Sequence, residues 1–344
     1  MSQTRLPSTM KVASIHQQGA AAFRIEEVAT PTPGPGQVLI RVESAAVNFS
    51  DIKRRRGDTY PFPTEFPFVP GSEIAGKVVA HGPGVSGPPI GTDVFALAGP
   101  TGYGGYAQFA VSYAPSVVPM PPGLSHDVAS VLTVAGATAK IMLTHAARLQ
   151  TGETVLIPAA TGGVGSFALQ IAKQLGAGKI IALVGHASKE EQARALGADD
   201  VVVASATWSK RVRALTDGKG VDVALEATGG AELESTLACL ASFGRAMVYG
   251  AASGNSGTLT QKALDQLLYA PCPNQSLSGF NIGSWFMERP QIAGPALGAL
   301  VGDVLGGTIK APAIKTLPLA RAEEAHALLE GRKVTGKLVL KPWA

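Results

Sequence analysis

Six residues, Ala160-Thr161-Gly162-Gly163-Val164-Gly165, have the composition and spacing of a turn that holds a phosphate. Glycines let the backbone turn tightly and touch a pyrophosphate, while the N–H groups and dipole at the start of a following helix hold its charge. The spacing fits the dinucleotide fingerprint, except that Ala160 stands where the first glycine is expected. An NAD site offers a carboxylate about twenty residues further on, for the ribose 2′-hydroxyl. Here that stretch reads Gly185-His186-Ala187-Ser188-Lys189, with no carboxylate before Glu190. Ser188 and Lys189 suit a 2′-phosphate, which a carboxylate would repel, and they favour NADPH over NADH. The alternative is that they only cap and open the next helix.

The elements around this turn are those it needs. Thr154-Val155-Leu156-Ile157 is the apolar run of a buried parallel strand. Val164, Phe167, Ala168, Ile171, Ala172 and Leu175 share one face of a helix, Gly176 ends it, and residues 180–184 return as the next strand. Strands over 200–203, 221–225 and 245–249 then alternate with helices over 208–215 and 231–241, which predicts a doubly wound parallel sheet. Helices over 125–134 and 137–147 lead into the turn; a strand over 275–282 and a helix over 291–305 follow. Residues 11–112 differ. Short strands over 11–15, 23–28, 37–47, 73–80, 93–96 and 105–111, separated by Pro- and Gly-rich linkers, predict a barrel-like β domain. The tail, with strands over 313–317 and 336–340 and a helix over 321–329, can return to that first domain.

Composition narrows the class. A chain of 344 residues, 46% hydrophobic and 16% charged, reads as a globular enzyme of two domains. A net charge of +4, with no basic tract longer than Lys53-Arg54-Arg55-Arg56, calls for no nucleic-acid partner. Cys239 and Cys272 are too few for a disulfide framework or a cysteine-rich zinc site. Residues 1–9 lack the apolar core of a signal peptide and read as a tail before Met10. No apolar run reaches spanning length, so no membrane partner and a cytoplasmic setting are expected.

Further segments carry a resemblance: 47–51 (VNFSD), 70–76 (PGSEIAG), 159–165, 196–199 (LGAD), 244–250 and 336–340 (GKLVL). In that order, across nearly the whole chain, they resemble the zinc-free, zeta-crystallin-like quinone oxidoreductases of the medium-chain dehydrogenase/reductase superfamily. The resemblance implies an α/β fold: a Rossmann doubly wound parallel sheet over 127–310, plus a GroES-like β-barrel catalytic domain over 1–126 completed by 311–344. It also implies a cofactor cleft between the domains and a homodimer joined near Ser276 to Ile282. Zinc-dependent members place ligands where this chain has Asn48, Ser72 and a residue near Val134. Glu73 alone cannot hold zinc, and it is expected to make a structural hydrogen bond.

By the same resemblance Asn48 and Lys53 lie beside nicotinamide and substrate, Lys53 standing where many quinone reductases carry a tyrosine. Thr161, Gly162, Gly163 and Val164 lie at the pyrophosphate, and Gly185, Ser188 and Lys189 at the adenosine end. Tyr249, Gly250 and Ala251 end a strand at the crevice, and Phe280 and Asn281 sit at the nicotinamide. Ala204 falls where relatives often offer a Tyr or His to the adenosine phosphate. Tyr60 is a candidate proton donor. Arg54 and Arg55 read as a solvated helix face, and the six histidines show no ligand spacing. Without a metal, hydride transfer suits a quinone or an activated enone, whose delocalisation spreads the incoming charge. Two other readings stay open: an enoyl-thioester reductase with Lys53 or Arg56 gripping a CoA phosphate, and an NADPH-binding structural or RNA-binding protein without turnover.

Overall fold

The computed structural model describes residues 6–20, 22–99, 102–269 and 272–344. The chain divides into two compact units, Met1–Val134 with Ala313–Ala344, and Ala135–Pro312.

The first unit opens with β1 (Thr9–Ser14) and β2 (Arg24–Ala29), paired antiparallel. Next come β3 (Gln37–Ala46), α1 (Phe49–Arg56), β4 (Glu73–His81), β5 (Asp93–Leu97), β6 (Phe109–Tyr113), β7 (Val117–Pro119) and the single turn α2 (His126–Ala129). Alternate residues of β3 and β4 point inward, so Val38, Ile40, Val42, Ile74 and Val78 form one buried core with Val94 and Ala96. The tail expected before Met10 is partly built in: β1 begins at Thr9, and the Ser8 carbonyl accepts the Thr30 N–H. Residues 1–5 lie outside the described residues.

In the second unit α3 (Ala137–Ile141), flanked by wide π turns, precedes β8 (Thr154–Pro158), α4 (Gly163–Gln174), β9 (Lys179–Val184), α5 (Glu190–Ala195), β10 (Asp200–Val203) and α6 (Trp208–Leu215). Then follow β11 (Val221–Glu226), α7 (Glu232–Leu237), β12 (Leu240–Val248), α8 (Gln261–Leu268), β13 (Ser276–Gly279), α9 (Ile282–Glu288) and α10 (Pro290–Leu305). All six strands are parallel, in the order β10-β9-β8-β11-β12-β13. Numbered from β8 this is 3-2-1-4-5-6, the order of dinucleotide-binding sheets.

Four predicted elements change. The helix read over 231–241 stops at Leu237, because Val221 N–H binds the Cys239 carbonyl and Leu240 joins the sheet beside Val221. The strand over 275–282 ends at Gly279, because Asn281 caps α9. The helices read over 125–134 and 137–147 are broken into short α and π turns. Sequence reading passed over β7, α8 and α9.

The chain then returns to the first unit through β14 (Ile314–Pro318), α11 (Ala322–Glu330) and β15 (Lys337–Lys341). β15 runs antiparallel to β3, with Val339 opposite Ala46, and Val47 N–H binds the Leu338 carbonyl. The last strand thus lays Lys337 against the start of α1.

The arginines expected on a solvated face are buried: Arg54 is 2% and Arg55 6% exposed. The Arg54 guanidinium lies over the rings of Tyr60, Phe68 and Tyr103, at 5.1, 4.6 and 5.0 Å, and bonds Thr64 Oγ1 and the Pro63 carbonyl. Arg55 bonds Glu330 Oε2 at 2.6 Å and the Ala20 carbonyl at 2.9 Å. Arg54 is enclosed by the loop just after its helix and by Tyr103, and Arg55 by Ala20 and Glu330 from far along the chain, none of which a helix-face argument can see.

Candidate functional site

In the second unit, the residues predicted to hold a cofactor follow the carboxyl ends of parallel strands, the edge where such sheets bind ligands. Thr161, Gly162, Gly163 and Val164 follow β8; Gly185, Ser188 and Lys189 follow β9; Tyr249, Gly250 and Ala251 follow β12; Phe280 and Asn281 follow β13. Gly162 caps α4 without a side chain, so the N–H groups of Gly163, Val164 and Gly165 have no acceptor within the helix. A Cβ on Gly165 would meet the Ala159 carbonyl oxygen at 2.4 Å and Ala160 Cα at 2.7 Å. That contact packs α4 onto the strand end, the task of the third glycine of the fingerprint.

Not every candidate side chain is available. Thr161 is buried in the turn, leaving its backbone as the usable part. Asn281 spends its Oδ1 on the Ser284 N–H, and Phe280 is buried, stacked on Trp285 at 6.0 Å. Burial, reinforced by the Glu226 carboxylate, pushes the Tyr249 hydroxyl above its ordinary range. Sequence reading missed Glu226. It ends β11, buried, and accepts Gly229 N–H at 2.8 Å and Thr236 Oγ1 at 2.7 Å, fixing the turn beyond that strand. The signal was an acidic residue closing an apolar run.

In the first unit, a polar cluster surrounds the ammonium of Lys337. Its Nζ donates to Asn48 Oδ1 at 2.6 Å, the Val47 carbonyl at 3.0 Å and Glu73 Oε1 at 3.0 Å, which uses all three of its protons. Asn48 Nδ2 donates to Glu73 Oε1 at 3.0 Å and Ser72 Oγ at 3.3 Å, and Glu73 Oε2 accepts Val134 N–H at 2.8 Å. The Asn48 amide is therefore held from both ends, with no N–H left for a substrate. Glu73, fully buried, does make the structural hydrogen bonds expected of it.

Beneath this cluster lies a second chain of bonds. Asp51 accepts Asn48 N–H at 2.9 Å, Gly71 N–H at 3.0 Å and the Tyr106 hydroxyl at 3.2 Å, and that hydroxyl lies 3.1 Å from His326 Nε2. Burial raises the Asp51 carboxyl to about 6 and lowers His326 to about 3, Arg55 adding to the latter.

With both halves described, comparison with known proteins gives a consistent answer. Residues 34–122 match the alcohol dehydrogenase GroES-like domain, and residues 163–294 the family described as zinc-binding dehydrogenase. A 2-haloacrylate reductase of a Burkholderia species is 33% identical, covering 96% of this chain and 99% of its own. A quinone oxidoreductase of Pseudomonas aeruginosa is 34% identical, covering 90% and 92%. The chain belongs to the medium-chain dehydrogenase/reductase superfamily, among its quinone oxidoreductases. Like its relatives, this oxidoreductase is an α/β protein with a GroES-like and a Rossmann domain. The Escherichia coli quinone oxidoreductase, solved as a complex with NADPH, superposes with a TM-score of 0.88 at 27% identity, covering 96% of this chain and all of its own.

Within this oxidoreductase the remaining candidates fall on and beyond α1. Lys53 is half-buried and, among the described residues, makes no side-chain hydrogen bond or ion pair. Arg56, by contrast, is bound to Asp58 and Glu330. Tyr60 is held by Arg54, and burial together with the Asp51 carboxylate keeps its hydroxyl above the ordinary range, so it retains its proton at neutral pH. Among the described residues no group of three or more His, Cys, Asp or Glu could hold a metal.

Proposed function

We propose that the protein is an NADPH-dependent reductase of quinones or activated α,β-unsaturated carbonyls that works without zinc. The observation carrying this is the Lys337 ammonium, bonded to Asn48 and Glu73 in the cluster that includes Ser72 and Val134, where zinc-dependent members of the superfamily are expected to hold their metal at the positions of Asn48, Ser72 and a residue near Val134. An amide, a hydroxyl and an aliphatic residue around a saturated ammonium do not fit a zinc ion. Without a Lewis acid, the acceptor must itself spread the charge it gains, as a quinone or enone does.

The residues fit NADPH. The free N–H groups of α4 suit its pyrophosphate, and Ser188 and Lys189, with no carboxylate between Gly185 and Lys189, suit its 2′-phosphate. When bound, NADPH supplies the hydride. Lys53 provides a positive charge for the substrate oxygen, and Tyr60 a proton. Because Arg56 is already paired, an enoyl-thioester reading rests on Lys53 alone. The reading is tested by following nicotinamide absorbance with 1,4-benzoquinone, 9,10-phenanthrenequinone, a simple enone and crotonyl-CoA, with NADPH and with NADH. Turnover of quinone or enone with NADPH preferred is expected, and Lys53→Met should lower its kcat/KM roughly 100-fold. Turnover of the thioester alone would move the function there. Binding without any turnover would leave a non-catalytic NADPH-binding protein.

A homodimer and a cytoplasmic setting belong to the same proposal. The edge strand β13 and the segments beside it expose Phe243 (72%), Leu268 (62%) and Tyr269 (74%), a surface suited to a second copy. Light scattering should give about twice 35.2 kDa; a monomer mass would refute it. Both cysteines are free thiols, as a reducing compartment favours. Among the described residues no helix is long and apolar enough to cross a membrane.

A further inference from the structure

Arg54 is a costly residue for its position. Its guanidinium is buried, and an aliphatic side chain of similar size would fill the space without the desolvation penalty. Burial pulls it below its ordinary range, while Tyr60, Asp51 and Tyr103 work the other way. Two of its N–H bonds go to the loop after α1, and its charge faces two tyrosine rings, Tyr60 at 5.1 Å and Tyr103 at 5.0 Å. Tyr103 is pinned in turn. Its N–H binds the Ala98 carbonyl at 3.0 Å, the Gly104 N–H binds the Val69 carbonyl at 2.8 Å, and its ring packs on Phe68 at 5.7 Å. Both tyrosines are half-buried. Among the described residues neither hydroxyl has a hydrogen-bond partner, and neither oxygen is shut off from solvent. Tyr106 is the opposite case, fully buried with its hydroxyl bound to Asp51. Two phenols with fixed rings and open tips on one cation are an arrangement for holding an oxygen.

We propose that Tyr60 and Tyr103 together hold the substrate oxygen, and that Arg54 positions the pair, its charge supporting the phenolate left when Tyr60 gives up its proton. This rests on the reading of Tyr60 as the proton donor, and it adds Tyr103 as a second donor to the same oxygen. The substrate it fits gathers its incoming charge on a carbonyl oxygen. For an enone, the hydride adds at the β-carbon, the C=C pair moves onto the carbonyl oxygen, and that oxygen takes the Tyr60 proton. The enol relaxes to the saturated carbonyl, water returns a proton to Tyr60, and the acceptor has gained the two electrons that NADPH loses. Burial and Asp51 keep the proton on Tyr60, and Arg54 works to release it.

The test joins a titration to turnover. The protein is made with fluorotyrosine at its six tyrosines and titrated without cofactor by fluorine NMR, the Tyr60 signal being the one missing from Tyr60→Phe. Arg54→Gln keeps N–H donors for Thr64 and Pro63 and removes the charge. Tyr60 should then titrate about one pH unit higher, and kcat/KM for an enone should fall about tenfold. Arg54→Lys returns a charge and should bring Tyr60 back to within about half a pH unit. Tyr103→Phe should lower kcat/KM about 10- to 100-fold, the effect of losing one donor to a developing oxyanion. If Arg54 only packs, Arg54→Gln lowers the melting temperature and leaves the Tyr60 titration unmoved, which overturns its role. Full kcat/KM in Tyr103→Phe overturns the pair. Should Arg54→Gln not fold, Arg54→Lys decides: a Tyr60 titration displaced by a full pH unit despite the retained charge overturns the role of Arg54. Unchanged turnover in Tyr60→Phe sinks the proton-donor reading and this inference with it. Slowed turnover there, beside an unmoved titration in Arg54→Gln, removes the role of Arg54 alone.

Discussion

Replacing Lys337 by Met should destabilise the first unit by about 3–5 kcal/mol, a fall in its melting temperature on the order of 10 °C. The substitution removes a cation and leaves its three acceptors behind. Glu73, with no exposed surface, would keep a negative charge supported, among the described residues, only by Asn48 Nδ2 and the Val134 N–H. The Val47 carbonyl and Asn48 Oδ1 would each lose a donor. The size of the effect comes from the charge left buried, more than from the bonds removed. Adding Glu73→Gln to Lys337→Met should therefore recover more than half of the loss, although Glu73→Gln alone is itself destabilising. Thermal and urea unfolding of the four proteins closes the cycle. A loss below about 1 kcal/mol in Lys337→Met, or simple additivity in the double variant, would show that the ammonium does not hold this cluster together.

Two single substitutions in the lower chain should give stability profiles of opposite slope between pH 4 and 6. His326 falls to about 3 in the folded protein from an ordinary 6.5, so folding is penalised as pH drops below 6.5 and the unfolded imidazole takes up a proton. Asp51 rises to about 6 from an ordinary 3.8, so its contribution is fully present below 3.8 and is lost as pH climbs through 6. Between pH 4 and 6 the unfolded chain carries a charged histidine and a charged aspartate, and the folded protein carries both neutral. The number of bound protons is then the same, and the pair contributes no slope.

Asp51→Asn uncovers the histidine, and stability should rise with pH by about 1.4 kcal/mol per unit more than in the unchanged protein. His326→Gln uncovers the aspartate, and stability should fall with pH by a similar amount, about 3 kcal/mol across the window. Both are measured by urea unfolding at half-unit pH steps. Parallel profiles in all three proteins would mean that Asp51 and His326 do not titrate at displaced values in the folded protein. The bonds permit the exchange. With Asp51 ionised, the Tyr106 hydroxyl donates to it and accepts from His326 Nε2–H; with Asp51 protonated, both bonds reverse.

What the residues revealed on their own was local. The phosphate turn lies within six consecutive positions, and its flanking strand and helix announce themselves by apolar runs and spacing within a dozen residues. The barrel strands were legible because Pro- and Gly-rich linkers separate them, although Leu240 was drawn into a helix that sheet pairing cuts short. The polar clusters of the first unit were not legible. Lys337 stands 289 positions from Asn48, His326 is 220 from Tyr106, and Glu330 is 275 from Arg55. No periodicity connects such pairs; only the return of the last strand brings them together. One clue was available at the end of the chain. A lysine at the head of an apolar strand, directly after a glycine, is an odd choice for a position that will be buried. Gly336 takes φ +79°, and a Cβ there would meet the Ala313 carbonyl oxygen at 1.9 Å, so the chain is delivered to Lys337 by a turn other residues cannot make.

The return of β15 also sets an order of assembly. As the ribosome releases the chain from its amino end, Asn48 and Glu73 emerge well before the cation that pairs with them, which lies 289 and 264 positions further on. The Ala135–Pro312 unit is continuous in sequence, so its sheet can close during synthesis. The unit that begins first is completed after the other, and until Lys337 has emerged its buried carboxylate lacks its counter-ion.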